Sequence, residues 1–199
     1  MFLLKVNTTI MIHIETIEIA GFASALKALH LPFGKIEKSL VYASTKTGVE
    51  DYGNAESLDP YIETSSRCVL DEDDLTLMQR LIKNGDEHAK VLRGIIAYAE
   101  ITAPIFWWCE LETYRTGHER LCSESTMHMD CRGLSGDALV KAKSEIPMGK
   151  ALKKIDFFSY QCLRNIYRQR QWHRLPQWHE FCHWIGSLPL ASELITIGL

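Results

Sequence analysis

Four isoleucines in "IHIETIEI", Ile12, Ile14, Ile17 and Ile19, stand among polar neighbours. Alternation of period two predicts an early strand, and the pair of polar residues between Ile14 and Ile17 marks one slip in it. "GFASALKALHLP" follows with apolar residues at helical spacing and predicts a helix that stops at Pro32. A second helix is predicted over "DEDDLTLMQRLIKNG". Its acids sit at the positive end, Leu75, Met78, Leu81 and Ile82 share one face, and Asn84-Gly85 closes it. "VLRGIIAYAEI" predicts a strand, after which Ala103-Pro104 opens a helix, since proline is tolerated in a first turn. That helix is expected to carry the polar run from Phe106 to His128, "FWWCELETYRTGHERLCSESTMH". "DFFSYQCLRNIYRQRQW" predicts a helix with Phe158, Cys162, Ile166 and Gln169 on one stripe and Leu163 and Tyr167 beside it. After Pro176, "QWHEFCHWIGSL" predicts another, with Trp178, Phe181, Ile185 and Leu188 facing the core. Strands followed by several helices imply an α/β or α+β fold, read as a single domain over 1–199. Residues 1–10 read as a possible extra N-terminal segment with Met1 or Met11 as the start, and the Ser-, Thr-, Gly- and Asp-rich stretch 44–67 reads as a long loop.

Composition narrows the function classes. With 46% hydrophobic and 24% charged residues and a net charge of -3, the chain has the make-up of a soluble globular protein, with no sign of a nucleic-acid or membrane surface. Any anion site must be local. No run of about 18 apolar residues occurs, and a cytoplasmic location is expected. The six cysteines, Cys68, Cys109, Cys122, Cys131, Cys162 and Cys182, form no CxxC pair, which favours reduced thiols over a disulfide framework.

One short string has the spacing of a metal site. "HEFCH", His179 to His183, matches HExxH, in which two histidines four apart on a helix hold Zn²⁺ while the glutamate, here Glu180, activates a water. Gly186 follows as in the longer metzincin pattern, but Pro189 stands where that pattern needs its third ligand. The competing reading is a surface stripe of His179, Glu180 and His183 opposite the Trp178–Phe181–Ile185 core stripe. Neither GxGxxG, GxxxxGK[ST] nor GxSxG occurs, so dinucleotide-fold, P-loop and serine-hydrolase chemistry lack support.

Two longer blocks carry more. "LIKNGDEHAKVLRGIIAYAEITAPIFWWCELETYRTGHERLCSES" and "IPMGKALKKIDFFSYQCLRNIYRQR" resemble, in order and spacing, the central segments of the flavin-dependent thymidylate synthases, the ThyX family. In that family a glycine and histidine end a helix, an "API"-like turn leads from a strand into a helix with an RHR motif and a later serine, and a Leu-Pro precedes a helix that carries flavin- and nucleotide-binding residues. "PQWHEF" is similar to the family's AQxEI stretch with a one-residue slip, which accounts for Glu180 without a metal. The resemblance covers about residues 75 to 185.

This resemblance implies a mixed sheet with long helices and a homotetramer binding FAD between subunits. It implies dUMP as substrate, NADPH as reductant and methylenetetrahydrofolate as one-carbon donor. No protein nucleophile is required; the flavin carries the hard chemistry. Carried over by position, His88, Thr113, Tyr114, Arg115 and Asn165 would face the cofactor. Glu110, Ser123, Ser125, Lys143 and Arg170 would face the nucleotide, with Arg170 placed to favour ionisation of the pyrimidine N3. The chain departs from the motif at several points: Thr113 and Tyr114 replace the first two residues of RHR, Leu121 and Ser125 replace a glutamate and an arginine, Lys143 replaces an arginine, and Ser159 and Gln161 replace an NxR flavin pair. His118, Arg120, His128 and Arg132 offer substitute charge, and Trp107 and Trp108 offer stacking surfaces. These departures leave open a related enzyme acting on another pyrimidine nucleotide, a nucleotide-binding or assembly protein without catalysis, and, third, the HExxH zinc hydrolase.

Overall fold

The computed structural model describes residues 11–34 and 72–199. The expected N-terminal segment, the 44–67 loop and Cys68 lie outside the described residues.

Four strands, β1 (His13–Ala20), β2 (Ile96–Pro104), β3 (His118–Ser123) and β4 (Ala151–Ser159), form one sheet in the order β1-β2-β4-β3. All three neighbouring pairs are antiparallel, where the resemblance implied a mixed sheet. The cause is a split β-α-β unit: β2 and β3 run the same way, but β4 lies between them and removes the parallel contact. The slip in the isoleucine pattern is a β-bulge in β1 between Thr16 and Glu18, which turns Ile17 out to solvent and returns Ile19 to the core.

Small residues line the inward face of β2. Ala97, Ala99 and Ala103 are fully buried, and beside them pack the large rings of Trp107, Phe158, Trp178 and Phe181, all of zero exposure. Trp107 meets Trp178 at 5.1 Å and Phe181 at 5.3 Å between ring centroids. Burial of rings this size is worth about 1.5–3 kcal/mol each, so this aromatic group anchors the helices to the sheet. The inward positions of β4 are Leu152, Lys154, Asp156 and Phe158. Two charges on a buried face hide the strand's alternation, so Phe158, expected on a helix, lies in β4, and the helix begins only at Tyr160 behind the Ser159 N-cap.

The α-helices among the described residues are α1 (Phe22–His30), α2 (Glu72–Lys83), α3 (Ile105–Leu111), α4 (Thr126–Met129), α5 (Gly136–Ser144), α6 (Tyr160–Arg170) and α7 (Pro176–Ser187). None exceeds 12 residues, so the long helices expected do not occur among the described residues. Pro32 falls in a 3₁₀ turn that continues α1, and Met78 and Ile82 bury the inner face of α2. His30 Nε2 and Asp74 Oδ1, 2.6 Å apart, tie α1 to α2. α3 starts after Pro104 as expected but stops at Leu111, and the chain turns into the edge strand β3 instead of continuing as helix. Arg164 is buried and donates to the carbonyls of Ile195 (2.6 Å) and Ile197 (2.9 Å), fastening the C-terminal turn to α6. No helix among the described residues is long and apolar enough to cross a membrane. The five described cysteines are free. Burial pushes the Cys162 and Cys182 thiols up to about 12, which leaves them unreactive at neutral pH.

Candidate functional site

The two sequence blocks meet at Arg170. It is the last residue of α6, and its aliphatic stem leads the guanidinium over the Trp178 ring, 4.6 Å from the centroid. Nε donates to the Tyr114 hydroxyl (2.8 Å) and Nη1 to Glu110 Oε2 (3.3 Å). The same carboxylate oxygen accepts from Trp178 Nε1 at 2.8 Å. Glu110 and Tyr114 come from the first block, 60 and 56 residues earlier in the chain. The Tyr114 hydroxyl also donates to Gln169 Oε1 (3.1 Å), and His173 Nε2 lies 3.8 Å from Glu110. Arg170 Nη2 has no protein partner among the described residues. It is free to donate to a ligand.

Beside this group the turn between α3 and β3 borders an open cavity of about 250 Å³, lined by Glu112, Tyr114, Arg115, His118, Glu119 and Arg120. Arg115 is exposed there and has no protein partner among the described residues. The other lining cations are engaged. Arg120 donates to Glu112 Oε1 (2.6 Å) and to both oxygens of Asp156 (3.1 and 3.3 Å). That hydrogen bond from Arg120 holds the Glu112 carboxyl below the usual carboxylate range. Asp156 is fully buried and also meets His118 Nε2 at 2.7 Å. Burial, with Arg120 nearby, pulls the Lys154 ammonium down from its ordinary value; it reaches Glu112 at 3.4 Å and lies over Trp108, 4.4 Å from the ring centroid. None of Lys154, Asp156 or the role of His118 was foreseen. A charged residue at an inward strand position, Asp156 opposite Arg120, was the one signal that pointed to them.

The remaining expected residues are scattered. Thr113 Oγ1 donates to the Glu110 carbonyl (2.7 Å) and so closes α3. Asn165 is half-buried on α6, one turn beyond Gln161. Gln161 is buried, donates to Asp86 Oδ1 (3.2 Å), and leaves its own Oε1 without a partner. His88 is exposed in the turn after α2, 4.0 Å from Glu87. Ser123 ends β3 with its hydroxyl on the Glu124 carbonyl, Ser125 caps α4 through its backbone, and Lys143 donates to Thr126 Oγ1. These three share an arm that no hydrogen bond or ion pair joins to the Arg170 group among the described residues. Trp107 and Trp108, considered as stacking surfaces, are instead core residues of 0% and 1% exposure.

His179 and His183 are exposed on α7, whereas Trp178, Phe181 and Ile185 are buried opposite them. Glu180 accepts from the Ile12 backbone N–H at 2.8 Å and so docks β1 onto α7. No group of three or more metal-ligating side chains converges among the described residues.

This fold, with its antiparallel sheet, split unit and α6–α7 helix pair, is shared with solved flavin-dependent thymidylate synthases. The chain superimposes on the ThyX enzyme of Helicobacter pylori complexed with FAD and dUMP with a TM-score of 0.62 at 12% identity, over 92% of this chain and 98% of that one. A second structure of that enzyme with FAD and dUMP gives 0.61 at 11% identity, over 94% and 98%. The UMP/dUMP methylase PolB of Streptomyces cacaoi, bound with 5-Br dUMP, gives 0.58 at 11% identity, over 92% and 93%. No protein-family model and no curated protein matches the chain.

Proposed function

We propose that the protein is a divergent flavin-dependent enzyme that methylates a uracil nucleotide, dUMP first among them, with FAD as cofactor, NADPH as reductant and methylenetetrahydrofolate as one-carbon donor. The observation that carries this reading is the meeting at Arg170 of side chains from both sequence blocks, in a fold shared with enzymes solved with FAD and uracil nucleotides.

The residues present suit a flavin. Gln161 Oε1 is a buried acceptor without a donor, an arrangement that costs about 1–3 kcal/mol unless a ligand N–H or O–H supplies one. Asn165 lies one turn further along the same helix, and Arg115 supplies an unpaired positive charge. Bound FAD would supply hydride transfer to and from its ring. Arg170, held at two points and backed by Trp178, presents Nη2 to the pyrimidine carbonyl edge, where its charge favours the N3-deprotonated base. Glu110 orients Arg170 and keeps it from collapsing onto solvent.

Ser125, Leu121 and Lys143 favour a second reading, a related enzyme whose nucleotide differs from dUMP at sugar or phosphate, because Ser125 lacks the positive charge of the family's arginine, Leu121 lacks the carboxylate, and Lys143 keeps its charge but loses the bidentate fork. The deciding experiment is a visible spectrum of the purified protein before and after addition of FAD, followed by titration with dUMP, UMP and dCMP. Flavin bands that shift with one of these nucleotides support the reading and name the base. Absence of flavin binding under every condition ends the enzyme reading and leaves a nucleotide-binding or assembly protein on this fold.

A further inference from the structure

The turn 112–117 between α3 and β3 is fastened from below by a buried line of hydrogen bonds. Asp156, of zero exposure on β4, sits opposite Arg120 in the sheet register and accepts from it. The other Asp156 oxygen meets His118 Nε2 at 2.7 Å, and His118 Nδ1 faces the Tyr114 carbonyl at 3.0 Å. Both ring nitrogens therefore face oxygen atoms, one on β4 and one in the turn, so the imidazole bridges the two. The imidazole is stacked on Phe158, its cross-strand neighbour, at 4.5 Å and 5° between planes, so the ring cannot rotate away. Gly117 closes the turn with φ of +78°. A Cβ there would lie 2.3 Å from Ser159 Oγ, while the Ser159 N–H donates to the Gly117 carbonyl at 2.7 Å. Arg120 ties Glu112 at the other end. Among the cations lining the cavity Arg120 is thus held, whereas Arg115 faces the cavity without a partner among the described residues.

We infer that His118 and Asp156 are positioning residues that set the 112–117 turn so that Arg115 is presented, preorganised, to an anionic group of the bound ligand. A guanidinium fixed through its backbone loses less freedom on binding, and that difference appears as affinity. This inference rests on the nucleotide and flavin reading above for the identity of the ligand, but not for the behaviour of the turn.

The test uses the full chain with Asp156→Asn, and His118→Gln as a second variant that leaves Arg120 on its carboxylate. Amide hydrogen exchange without ligand is expected to speed up about tenfold or more at 113–117 relative to β2, and unchanged exchange there in both variants overturns the inference whatever the protein binds. Titration with FAD and dUMP supplies the second arm. Each variant is expected to weaken the ligand that Arg115→Ala weakens by about tenfold, and combining either with Arg115→Ala should add nothing further, since both act on one guanidinium. Losses that multiply, as they would for general destabilisation, overturn it. So does an Arg115→Ala protein that binds as tightly as wild type. If wild type binds neither FAD nor dUMP, the functional reading fails, and the exchange result alone decides the role of the pair.

Discussion

Residues 96–118 and residues 121–150 differ sharply in how they are held. In the first stretch Ala97, Ala99, Trp107, Trp108 and His118 are buried, and Glu110 and Tyr114 are locked onto Arg170. In the second only Cys131 is buried, α4 and α5 bury nothing, and Met127, Met129, Leu134, Val140 and Met148 are exposed, Val140 at 68%. Of the side chains expected at the nucleotide, the chain itself assembles those on the packed stretch and leaves Ser123, Ser125 and Lys143 on the open arm. An arm with so little buried surface of its own gains order from what covers it, and the homotetramer that the resemblance implies would provide that cover.

The largest effect is expected from Arg170→Ala. Loss of a charge-assisted contact worth about 1.5–3 kcal/mol should weaken uracil-nucleotide binding by about 10- to 150-fold without changing far-UV circular dichroism. Unchanged affinity would detach the packed stretch from function. A smaller effect is expected on the arm. Val140→Asp with Met129→Asp should lower the assembly mass in sedimentation and reduce nucleotide affinity severalfold, whereas a monomeric wild-type protein, or an unaltered assembly, would show that no second copy covers this surface. Least of all is expected from His179→Ala with His183→Ala. Activity should stay within about twofold and bound zinc, by elemental analysis, should be absent from both proteins; loss of activity together with stoichiometric zinc in wild type would move HExxH from third place to first.

Legibility in the sequence followed the same division. Elements with unbroken periodicity, α1, α2 and α7, lie where the spacing placed them, and even the bulge in β1 was visible as a slip in its isoleucines. β4 was misread because Lys154 and Asp156 occupy inward positions, where the alternation rule expects apolar residues. β3 was missed because it is an edge strand with Leu121 and Cys122 exposed and His118 buried. The Arg170–Glu110–Tyr114 group was approached through ordered spacing, which no periodicity argument yields. The His118–Asp156 line depends on a contact between strands that joins residues 38 apart, and the charge at an inward position of β4 was its one trace in the sequence.

Of the five tryptophans, Trp172 alone is open to solvent, 88% exposed, two residues past Arg170; the other four are buried. The protein therefore carries its own optical probe. Emission from Trp172 should be red-shifted and accessible to iodide, against a blue-shifted background from the core indoles. A ligand arriving at the end of α6 would shield that one indole first, and an oxidised flavin there would quench it by energy transfer, so occupancy could be followed without any label.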